Sequence, residues 1–375
     1  MPRMQLTLLD SRQDFAKVEE IWQSACAHTS HSYFLSWGWI ENWIRTLPAN
    51  IPLKLAIISK DSIPAMLFFV GQTTLVRHYL VRSHSLFLTA TGRTPFDHLF
   101  IEYNAMLCPD TRGCSLADIL ALLPFSWDEF VMPGLDANAF PGNRLHEATR
   151  LGRLIIENEL PARYVDLHKV RQNAGDYLAL LSKSSRAMIK RSYRGYQSRG
   201  ELRLEVAQEI DTALEIFDDL VNLHRVTWQQ RGRQSAFLAD FVLDFHRELI
   251  RKRMAQGEIQ LLRLWAGDTR IGCLYNFVFQ GKVLFYQSGV CYESDARLKP
   301  GYTCHSEAIR HNALQGHTSY DFLGGDENYK LQLSTDTQHL IWAKIQKPKL
   351  IFELETRLKT LKQALSPRLA TNHND

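Results

Sequence analysis

The sequence predicts an α+β protein in which mixed, mostly antiparallel sheets are flanked by helices. Several long segments place apolar residues at helical spacing, whereas shorter apolar runs between turn signals are typical of strands. In the second half these segments follow the order helix, helix, three strands, loop, helix, strand. A strand that leads through a loop and a helix to another strand binds ligands beyond the carboxyl ends of its strands.

Length and composition indicate a folded protein with more than one domain. The chain has 375 residues, of which 45% are hydrophobic and 22% are charged, and its net charge is +4. This usage is ordinary for globular proteins and excludes intrinsic disorder as the main state. At about 150 residues per domain, the length corresponds to two or three domains. The charge is too balanced to argue for nucleic-acid binding by bulk charge, and no DNA partner is expected.

Cysteine usage and hydropathy predict a cytoplasmic protein. The six cysteines contain no CxxC pair, which argues against a zinc site and against a disulfide framework. The longest apolar stretches fall far short of the ~18 residues that span a bilayer. The first residues lack the apolar core of a signal peptide. We therefore expect no metal cofactor and no membrane span.

The first half is expected to form one α+β unit that ends near residue 165. Apolar residues at helical spacing indicate its helices, and the turn pair Asp61-Ser62 separates two of its strands. Strands are predicted at 5–9, 53–60, 63–71, 74–81, 85–90, 129–132 and 153–158, and helices at 11–28 and 36–47.

The second half is expected to form a domain over 170–345, followed by a helix and a flexible tail. Two turns, at 266–269 and 280–282, connect three antiparallel strands. Helices are predicted at 184–199, 210–230, 236–255 and 301–314, and strands at 202–207, 259–265, 271–279, 283–291 and 319–323. The final helix occupies 346–365 and the tail 366–375.

The loop before the helix at 301–314 could hold a phosphate group. Gly301 allows a ligand to approach the backbone, and the free N–H groups at the start of a helix attract anions. Arg297 and Lys299 add two cations beside them. An ordinary strand-to-helix turn with solvated Arg and Lys side chains explains the same residues.

A second cluster follows the strand at 319–323. Asp326, Tyr329 and Lys330 come after a Gly-Gly pair, and a carboxylate, a phenol and an amine together suit proton transfer. The alternative is a Gly-Gly turn in which Asp326 caps a helix.

The strand at 283–291 carries a third candidate group. Because side chains alternate along a strand, Tyr286 and Ser288 lie on one face. Gly289 indicates a bulge or a close approach of a ligand to the backbone.

Two helical segments carry further candidates. His224, Trp228 and Arg231 share one helix face and could line a pocket, although packing alone explains a His and a Trp at this spacing. A basic run attracts phosphates, whether on a lipid, a nucleotide or RNA, unless it is a solvated helix face. This run comprises Lys183, Arg186, Lys190, Arg191, Arg194, Arg199 and Arg203.

Several of these segments together resemble a known family. The second half is similar to the acetyltransferase domain of the CelD/BcsL family, whose GNAT-fold members are often linked to the synthesis of cellulose or other exopolysaccharides. The order and spacing of the segments carry the resemblance, which is strongest from about 175 to 332. The matching segments are 186–191, 224–232, the strands around Gly272, Pro300-Gly301, 321–326, Tyr329-Lys330 and, near the start of the chain, 34–40.

The resemblance implies two GNAT-like halves, 1–165 and 170–345, in a tandem arrangement like that of FemAB-type peptidyltransferases. It also implies an acyl-CoA donor, usually acetyl-CoA, bound by the second half. The first half shows no loop of this kind with cations beside it, and we expect it to lack a donor site of its own.

The resemblance also assigns donor contacts to individual residues. The pantetheine arm would bind Ser288, Gly289 and Val290. The pyrophosphate would bind a loop that departs from the usual Gln/Arg-x-x-Gly-x-Gly/Ala pattern, because its arginine stands four residues before the glycine instead of three. The residues of this loop are Arg297, Lys299, Gly301 and Tyr302.

The implied reaction is the attack of an amine or hydroxyl on the donor thioester. Asp326 would act as the base, Tyr286 or Tyr329 as the acid, and backbone N–H groups at 289–290 would polarise the carbonyl. Lys330 could instead hold an anionic substrate. The acceptor would be a sugar, a sugar nucleotide or a polysaccharide precursor, with polysaccharide biosynthesis machinery as a possible partner. Its contacts would come from His224, Trp228 and Arg231.

Two other functions remain open at this point. The chain could be an aminoacyl-tRNA-dependent transferase of the FemAB kind, in which the basic helix holds RNA or a phosphorylated cell-wall precursor. It could also be a non-catalytic GNAT-fold partner of a polysaccharide synthase, since the pyrophosphate loop is incomplete.

Overall fold

The computed structural model describes residues 4–77, 81–99, 101–109, 115–136, 145 and 149–365. Within this part of the chain, twelve strands join into one sheet. They are β1 (Met4–Asp10), β2 (Leu53–Lys60), β3 (Ile63–Arg77), β4 (Val81–Leu88), β5 (Glu129–Asp136), β6 (Arg153–Asp166), β7 (Leu202–Val206), β8 (Ile259–Ala266), β9 (Thr269–Phe279), β10 (Lys282–Val290), β11 (Ser319–Gly324) and β12 (Asp336–Gln346).

The helices of the described ranges alternate with these strands. They are α1 (Phe15–His28), α2 (Trp37–Thr46), α3 (Thr94–Asp97), α4 (Leu116–Leu122), α5 (Leu167–Gln172), α6 (Lys183–Gln197), α7 (Ile210–Gln230), α8 (Asp240–Arg253), α9 (Pro300–Leu314), α10 (Asn328–Leu333) and α11 (Leu350–Leu365). Among the residues with a described position, no helix combines the length and the apolar character needed to cross a membrane.

Helices cover the sheet on both faces. Leu55 and Ile57 of β2 belong to a core that also contains the apolar faces of α1, α2, α7 and α8. Ala56 and Ile58 of the same strand pack on the opposite face in a second core with α4. The second half has a third core on the same face of the sheet as α4, and α6 and α9 cover it. Strands that are buried on both faces contain near-continuous apolar runs, and this explains the apolar character of β2 and β3.

The two halves exchange strands at the centre of the sheet. The strand order is β1-β2-β3-β4-β5-β12-β6-β11-β10-β9-β8-β7. The last described strand, β12, therefore pairs with β5 of the first half, and β6, at the end of the first half, pairs with β11 of the second. The pairing of β12 with β6 closes the junction.

The same order of elements occurs twice. A strand, two helices, three antiparallel strands, a helix and a parallel strand give β1 to β5 in the first half and β7 to β11 in the second. In each half the parallel pair is short: β4 and β5 pair only at 85–87 with 129–131, and β10 and β11 only at 282–284 with 319–321. Beyond these pairs the strands separate and leave a wedge at their carboxyl ends.

Differences from the predicted elements have local causes. The helix predicted at 210–230 coincides with α7, whereas α8 begins at Asp240 instead of 236, because Ser235 anchors the preceding loop through hydrogen bonds. The strand β3 continues to Arg77 because its polar end pairs with β4. The sequence does not predict β12, because the first residues of this strand are polar. The strand nevertheless pairs with a neighbour on each edge. The predicted tail at 366–375 lies outside the described residues.

Candidate active site

The wedge of the first half is filled by the chain itself. Asn104 donates from Nδ2 to the carbonyl oxygens of Leu88 (2.9 Å) and Pro133 (3.0 Å), at the diverging ends of β4 and β5. Leu107 pairs with β3. We call residues 101–107 the plug segment. It lies where a ligand would have to enter between these two strands.

The wedge of the second half opens into a cavity of about 1310 Å³. The N–H of Cys291 donates to the carbonyl oxygen of Ile271 in β9 at 2.9 Å. This bond determines which residues of β10 direct their backbone groups towards β9. Because the direction of the backbone groups alternates along a strand, the N–H and C=O groups of Ser288 and Val290 point away from β9 and into the wedge. They lie beyond the last pair of β10 with β11 and can bind a ligand as an added strand would be bound.

Glu102 of the plug segment lines this cavity, so the first half supplies a carboxylate to the site of the second. Its Oε2 accepts a hydrogen bond from the N–H of Gly324 at 2.6 Å. Burial raises the pKa of Glu102 to about 7, although the Gly324 N–H and the charge of Lys330 lower it, while Asp321 and Glu327 raise it further. A carboxylate with this pKa can accept and release a proton near neutral pH, as general acid–base catalysis requires.

The predicted pair Tyr329 and Lys330 lines the same cavity as Glu102. The Nζ of Lys330 donates to the carbonyl oxygen of Gly324 at 2.6 Å and forms an ion pair with Glu327 at 3.1 Å. The ring of Tyr329 stacks on His305 with 5.7 Å between centroids. Burial raises the pKa of Tyr329 well above its usual value, so its hydroxyl keeps its proton at neutral pH and can act as a hydrogen-bond donor.

Tyr286 also lines the cavity, at a bulge in β10. Its hydroxyl donates to the carbonyl oxygen of Leu99 at 3.0 Å and lies 3.1 Å from Nε2 of His246. Burial raises the pKa of Tyr286 and lowers that of His246 to about 3, so both side chains are neutral. The hydroxyl of Tyr286 is thus engaged with the first half, which makes it a less available acid than Tyr329.

Asp326, the predicted base, lies outside the cavity wall. Its side chain is 76% exposed and forms an ion pair with Arg163 at 3.2 Å. It does not cap a helix either, because the N-cap position of α10 is Glu327. Gly325, with φ of 144°, turns the chain so that the residue after it faces outward.

The start of α9 forms the mouth of the cavity. The N–H of Thr303 is the first to bond within the helix, to Lys299, so the N–H groups of Gly301 and Tyr302 have no helical partner. The N–H of Lys299 is already bound by Ser192 Oγ at 2.8 Å. Lys299, Gly301 and Tyr302, which the resemblance assigns to the donor, all line the cavity.

Two predicted donor residues do not line the cavity. A Cβ at Gly289 would lie 2.5 Å from the carbonyl oxygen of Leu220, so Gly289 is required for close packing on α7. Arg297 is exposed and binds Asp295 at 2.7 Å within the same loop. The positive charge of Arg297 is therefore largely balanced before any ligand arrives.

The predicted face of α7 forms the opposite wall. His224, Trp228 and Arg231 all line the cavity. His224 Nδ1 lies 2.8 Å from Ser235 Oγ, and burial lowers the pKa of His224 to about 4, so the ring is neutral. Arg231 donates to the hydroxyl of Tyr292 at 2.8 Å.

The basic run divides into structural and exposed cations. Arg186 donates to two backbone carbonyls, Arg199 pairs with Glu293 at 2.7 Å, and Arg203 lies over the ring of Trp265. The other four are exposed on α6 and have no partner among the residues that the structure describes. These four are Lys183, Lys190, Arg191 and Arg194.

Sequence reasoning missed Glu102. The residue is remote in sequence from the cluster that it joins, and the contact depends on the exchange of strands at the centre of the sheet. One signal was present: Glu102 is the only charged residue in the apolar run LFIEYNAML (99–107), and a carboxylate in such a run needs either a buried partner or a role in a site.

Comparisons with known proteins identify the class of fold. Residues 183–331 match the sequence profile of a family described as an acetyltransferase (GNAT) domain. A search among curated proteins finds no match.

Three solved structures are similar to nearly the whole chain. FemX has a TM-score of 0.55 at 11% identity over 93% of this chain and 99% of its own. The C-terminal domain (DUF2156) of a putative lysylphosphatidylglycerol synthetase from Agrobacterium fabrum has a TM-score of 0.50 at 12% identity over 93% and 96%. L-PGS from Bacillus licheniformis has a TM-score of 0.50 at 9% identity over 91% and 96%.

These matches confirm the predicted fold class. At such low identities the likeness of the structures shows the fold alone. Together with the profile match and the repeated order of elements, it shows that this chain has the tandem GNAT fold, a mixed sheet flanked by helices. The fold is that of GNAT-type acyltransferases.

Proposed function

We propose that this protein is a GNAT-type acyltransferase that transfers an acyl group, such as acetyl, from a CoA thioester to an amine or hydroxyl of a sugar-containing acceptor. One observation carries the proposal: the open wedge leads from the start of α9 to Glu102, a carboxylate whose pKa lies near 7. The wedge suits the donor, and the carboxylate suits an acceptor that must lose a proton.

The donor fits the end of the cavity at α9. The N–H and C=O groups of Ser288 and the C=O group of Val290 point into the wedge and can bond the amide groups of a pantetheine arm, which leaves the N–H of Val290 for the thioester. The free N–H groups of Gly301 and Tyr302 can bond a phosphate, and Lys299 adds a cation beside them. These contacts come from the backbone, so they do not depend on the usual loop pattern.

The transfer needs one proton acceptor and one proton donor. Ionised Glu102 takes the proton from the acceptor N–H or O–H as that atom attacks the thioester carbonyl carbon. The new C–N or C–O bond forms, the C–S bond breaks, and the leaving thiolate takes a proton through the hydroxyl of Tyr329, which regains its proton from protonated Glu102. The N–H of Val290 stabilises the negative charge that develops on the carbonyl oxygen. In this assignment Glu102 replaces Asp326, because Asp326 lies outside the cavity.

The aromatic walls of the cavity support a sugar acceptor. Trp228 of α7 and Trp342 of β12 both line the cavity and are partly exposed to it. Flat indole faces with polar groups such as Asn158 nearby suit a ring that has apolar faces and hydroxyl edges. A sugar acceptor agrees with a role in exopolysaccharide synthesis, as in the CelD/BcsL family that the sequence resembles.

Thermal unfolding during titration with acetyl-CoA, CoA and longer acyl-CoAs tests the donor. A ligand at about 100 times its Kd adds roughly 2.7 kcal/mol of stability, so we expect a clear rise in Tm. Gly301→Glu should abolish the rise because its carboxylate repels phosphate, whereas Gly301→Ala should keep it. The space around Gly301 is open, so both variants should fold. No rise with any acyl-CoA would contradict the proposal.

A second candidate donor, an aminoacyl-tRNA, is favoured by the four unpartnered cations of α6. A polyanion bound there would release counterions, and its affinity would fall steeply with salt. Binding of charged tRNA with this salt dependence, in the absence of any response to acyl-CoA, would favour this donor. Binding to polysaccharide synthase subunits without transfer to any acceptor would instead indicate a non-catalytic role.

A further inference from the structure

The two segments that meet at Glu102 each contain a residue in a strained backbone conformation. Tyr103 of the plug segment has φ of 51°, and Leu323 at the end of β11 has φ of 60°. Residues with a Cβ rarely occupy this left-handed region, and they persist there only where the surroundings hold them. Tyr103 follows Glu102 directly, and Leu323 precedes Gly324, whose N–H bonds to Glu102.

One buried carboxylate, Asp321, holds both strained residues. Its Oδ1 accepts the N–H of Leu323 at 2.7 Å, and its Oδ2 accepts the hydroxyl of Tyr103 at 2.6 Å. Gln338 of β12 donates to the same Oδ2 at 3.2 Å and to the Tyr103 hydroxyl oxygen at 2.6 Å. Asp321 thus binds the backbone of the second half, a side chain of the first half and the strand between them.

We propose that Asp321 is a positioning residue of the site: by fixing Leu323 and Tyr103, it makes the N–H of Gly324 meet the carboxylate of Glu102 in the cavity. The inference rests on the proposed function in so far as Glu102 is the base. Asp321 does not line the cavity, and it touches no substrate in this scheme.

The groups that face Glu102 allow positioning to be separated from a simple effect of charge. Besides the Gly324 N–H they are Lys330, Asp321, Glu327, Tyr103 and Tyr286, and burial keeps both tyrosines neutral. The Gly324 N–H bonds Glu102 directly at 2.6 Å and lowers its pKa, whereas the charge of Asp321 raises it. Because the N–H is in direct contact with the carboxylate, we expect its effect to be the larger of the two. Loss of both together therefore raises the pKa of Glu102, whereas loss of the charge alone lowers it.

Two substitutions of Asp321 exploit this difference. Asp321→Ala removes the charge and the acceptor for the Leu323 N–H, so the pKa of Glu102 should rise. Asp321→Asn removes the charge but keeps an oxygen for that N–H, so the pKa should fall. If Asp321 acted through its charge alone, both variants would lower the pKa of Glu102.

The pKa of Glu102 can be measured without turnover. Urea denaturation at a series of pH values gives the difference in unfolding free energy between the parent protein and Glu102→Gln. This difference changes with pH up to the pKa of Glu102 in the folded protein and is constant above it. We expect the change to stop near pH 7 in the parent, at a higher pH in the Asp321→Ala background and at a lower pH in the Asp321→Asn background. Asp218→Ala, which removes an exposed carboxylate that pairs with Arg247, is the control and should leave it unchanged. An unchanged or lowered value with Asp321→Ala would overturn the inference.

Activity gives a second readout and covers the case in which Asp321→Ala does not fold. Tyr103→Phe removes only one oxygen atom. With any acceptor that the parent acetylates, we expect its kcat to fall about 10-fold or more, with an unchanged Kd for acetyl-CoA, because a misplaced base slows the reaction and not the binding. A parental kcat would overturn the inference. Full kcat in Glu102→Gln would instead overturn the assignment of Glu102 as the base and leave the result of the denaturation experiment standing, whereas the absence of any response to acyl-CoA would overturn the proposed function.

Discussion

The two halves of the sheet repeat the same order of elements, yet one wedge is closed and the other is open. In the first half the plug segment binds the separated ends of β4 and β5 through Asn104. In the second half the matching space between β10 and β11 is a cavity of about 1310 Å³. The plug segment that closes the first wedge is also the segment that carries Glu102 into the second. The closed wedge therefore contributes to the proposed chemistry of the open one.

Buried carboxylates show the same division. Glu129 of β5, in the first half, binds Arg77 at 2.7 Å and Lys344 at 3.2 Å. Burial alone would raise the pKa of Glu129, but the Arg77 bond and the charge of Lys344 outweigh it and lower the pKa to about 2. Glu102 lacks comparable compensation, and its pKa is about 7. The first carboxylate stabilises the fold, whereas the second has the pKa that the proposed proton transfer requires.

The largest expected effect concerns the base. Glu102→Gln keeps the shape of the side chain but cannot accept a proton, so kcat should fall by about 10²- to 10⁴-fold while the Kd for acetyl-CoA stays unchanged. Steady-state kinetics and a binding titration measure the two quantities. Asp326→Asn is the matched variant from the sequence-based assignment. A larger loss of kcat with Asp326→Asn than with Glu102→Gln would contradict the proposal that the first half supplies the base to the second.

The next effect is an opposite dependence of stability on pH. The folded pKa of Glu102 lies above its ordinary 4.5, so its ionisation costs stability as pH rises from about 4.5 to 7. The folded pKa of Glu129 lies below 4.5, so its contribution is present at neutral pH and is lost as pH falls towards 2. At pH 8, Glu102→Gln should gain about 3 kcal/mol and Glu129→Gln should lose about 3 kcal/mol.

Urea denaturation at several pH values measures the change in unfolding free energy of each variant relative to the parent. The two differences should both shrink as pH falls, that of Glu102→Gln below pH 7 and that of Glu129→Gln below pH 4.5. A loss of stability in both variants at pH 8 would show that both carboxylates are structural and would remove the contrast between the halves.

The residues proposed for the donor end of the site could be found from the sequence because their signals are local. A strand, a loop with cations and Pro300-Gly301 at a helix start lie within one short segment, and Lys299, Gly301 and Tyr302 line the cavity as expected. Helical spacing likewise placed Trp228 and its neighbours on one wall. Periodicity and helix-start signals depend on a few adjacent residues, so they can be recognised without knowledge of the tertiary fold.

The proposed base could not be found from the sequence because it depends on contacts that are remote in sequence. Glu102 meets Gly324 only because β12 and β6 join the halves and the plug segment fills the first wedge. Asp326 was the natural choice among neighbours of Tyr329, but one turn at Gly325 directs it to Arg163 on the surface. Sequence proximity is thus a poor guide where a left-handed residue reverses the direction of the chain.

The smallest expected effect tests whether the plug segment is structural in the first half. Asn104→Ala leaves the carbonyls of Leu88 and Pro133 without their donor in a buried setting, so the free energy of unfolding should fall by about 2 kcal/mol. Asn173→Ala, which removes a bond at an exposed turn, is the control and should cost much less. Calorimetry should still find one acetyl-CoA per chain, because the backbone of the plug segment keeps occupying the wedge. Two acetyl-CoA per chain in Asn104→Ala would mean that the first wedge is a donor site closed by a single side chain, and that the two halves differ in degree and not in kind.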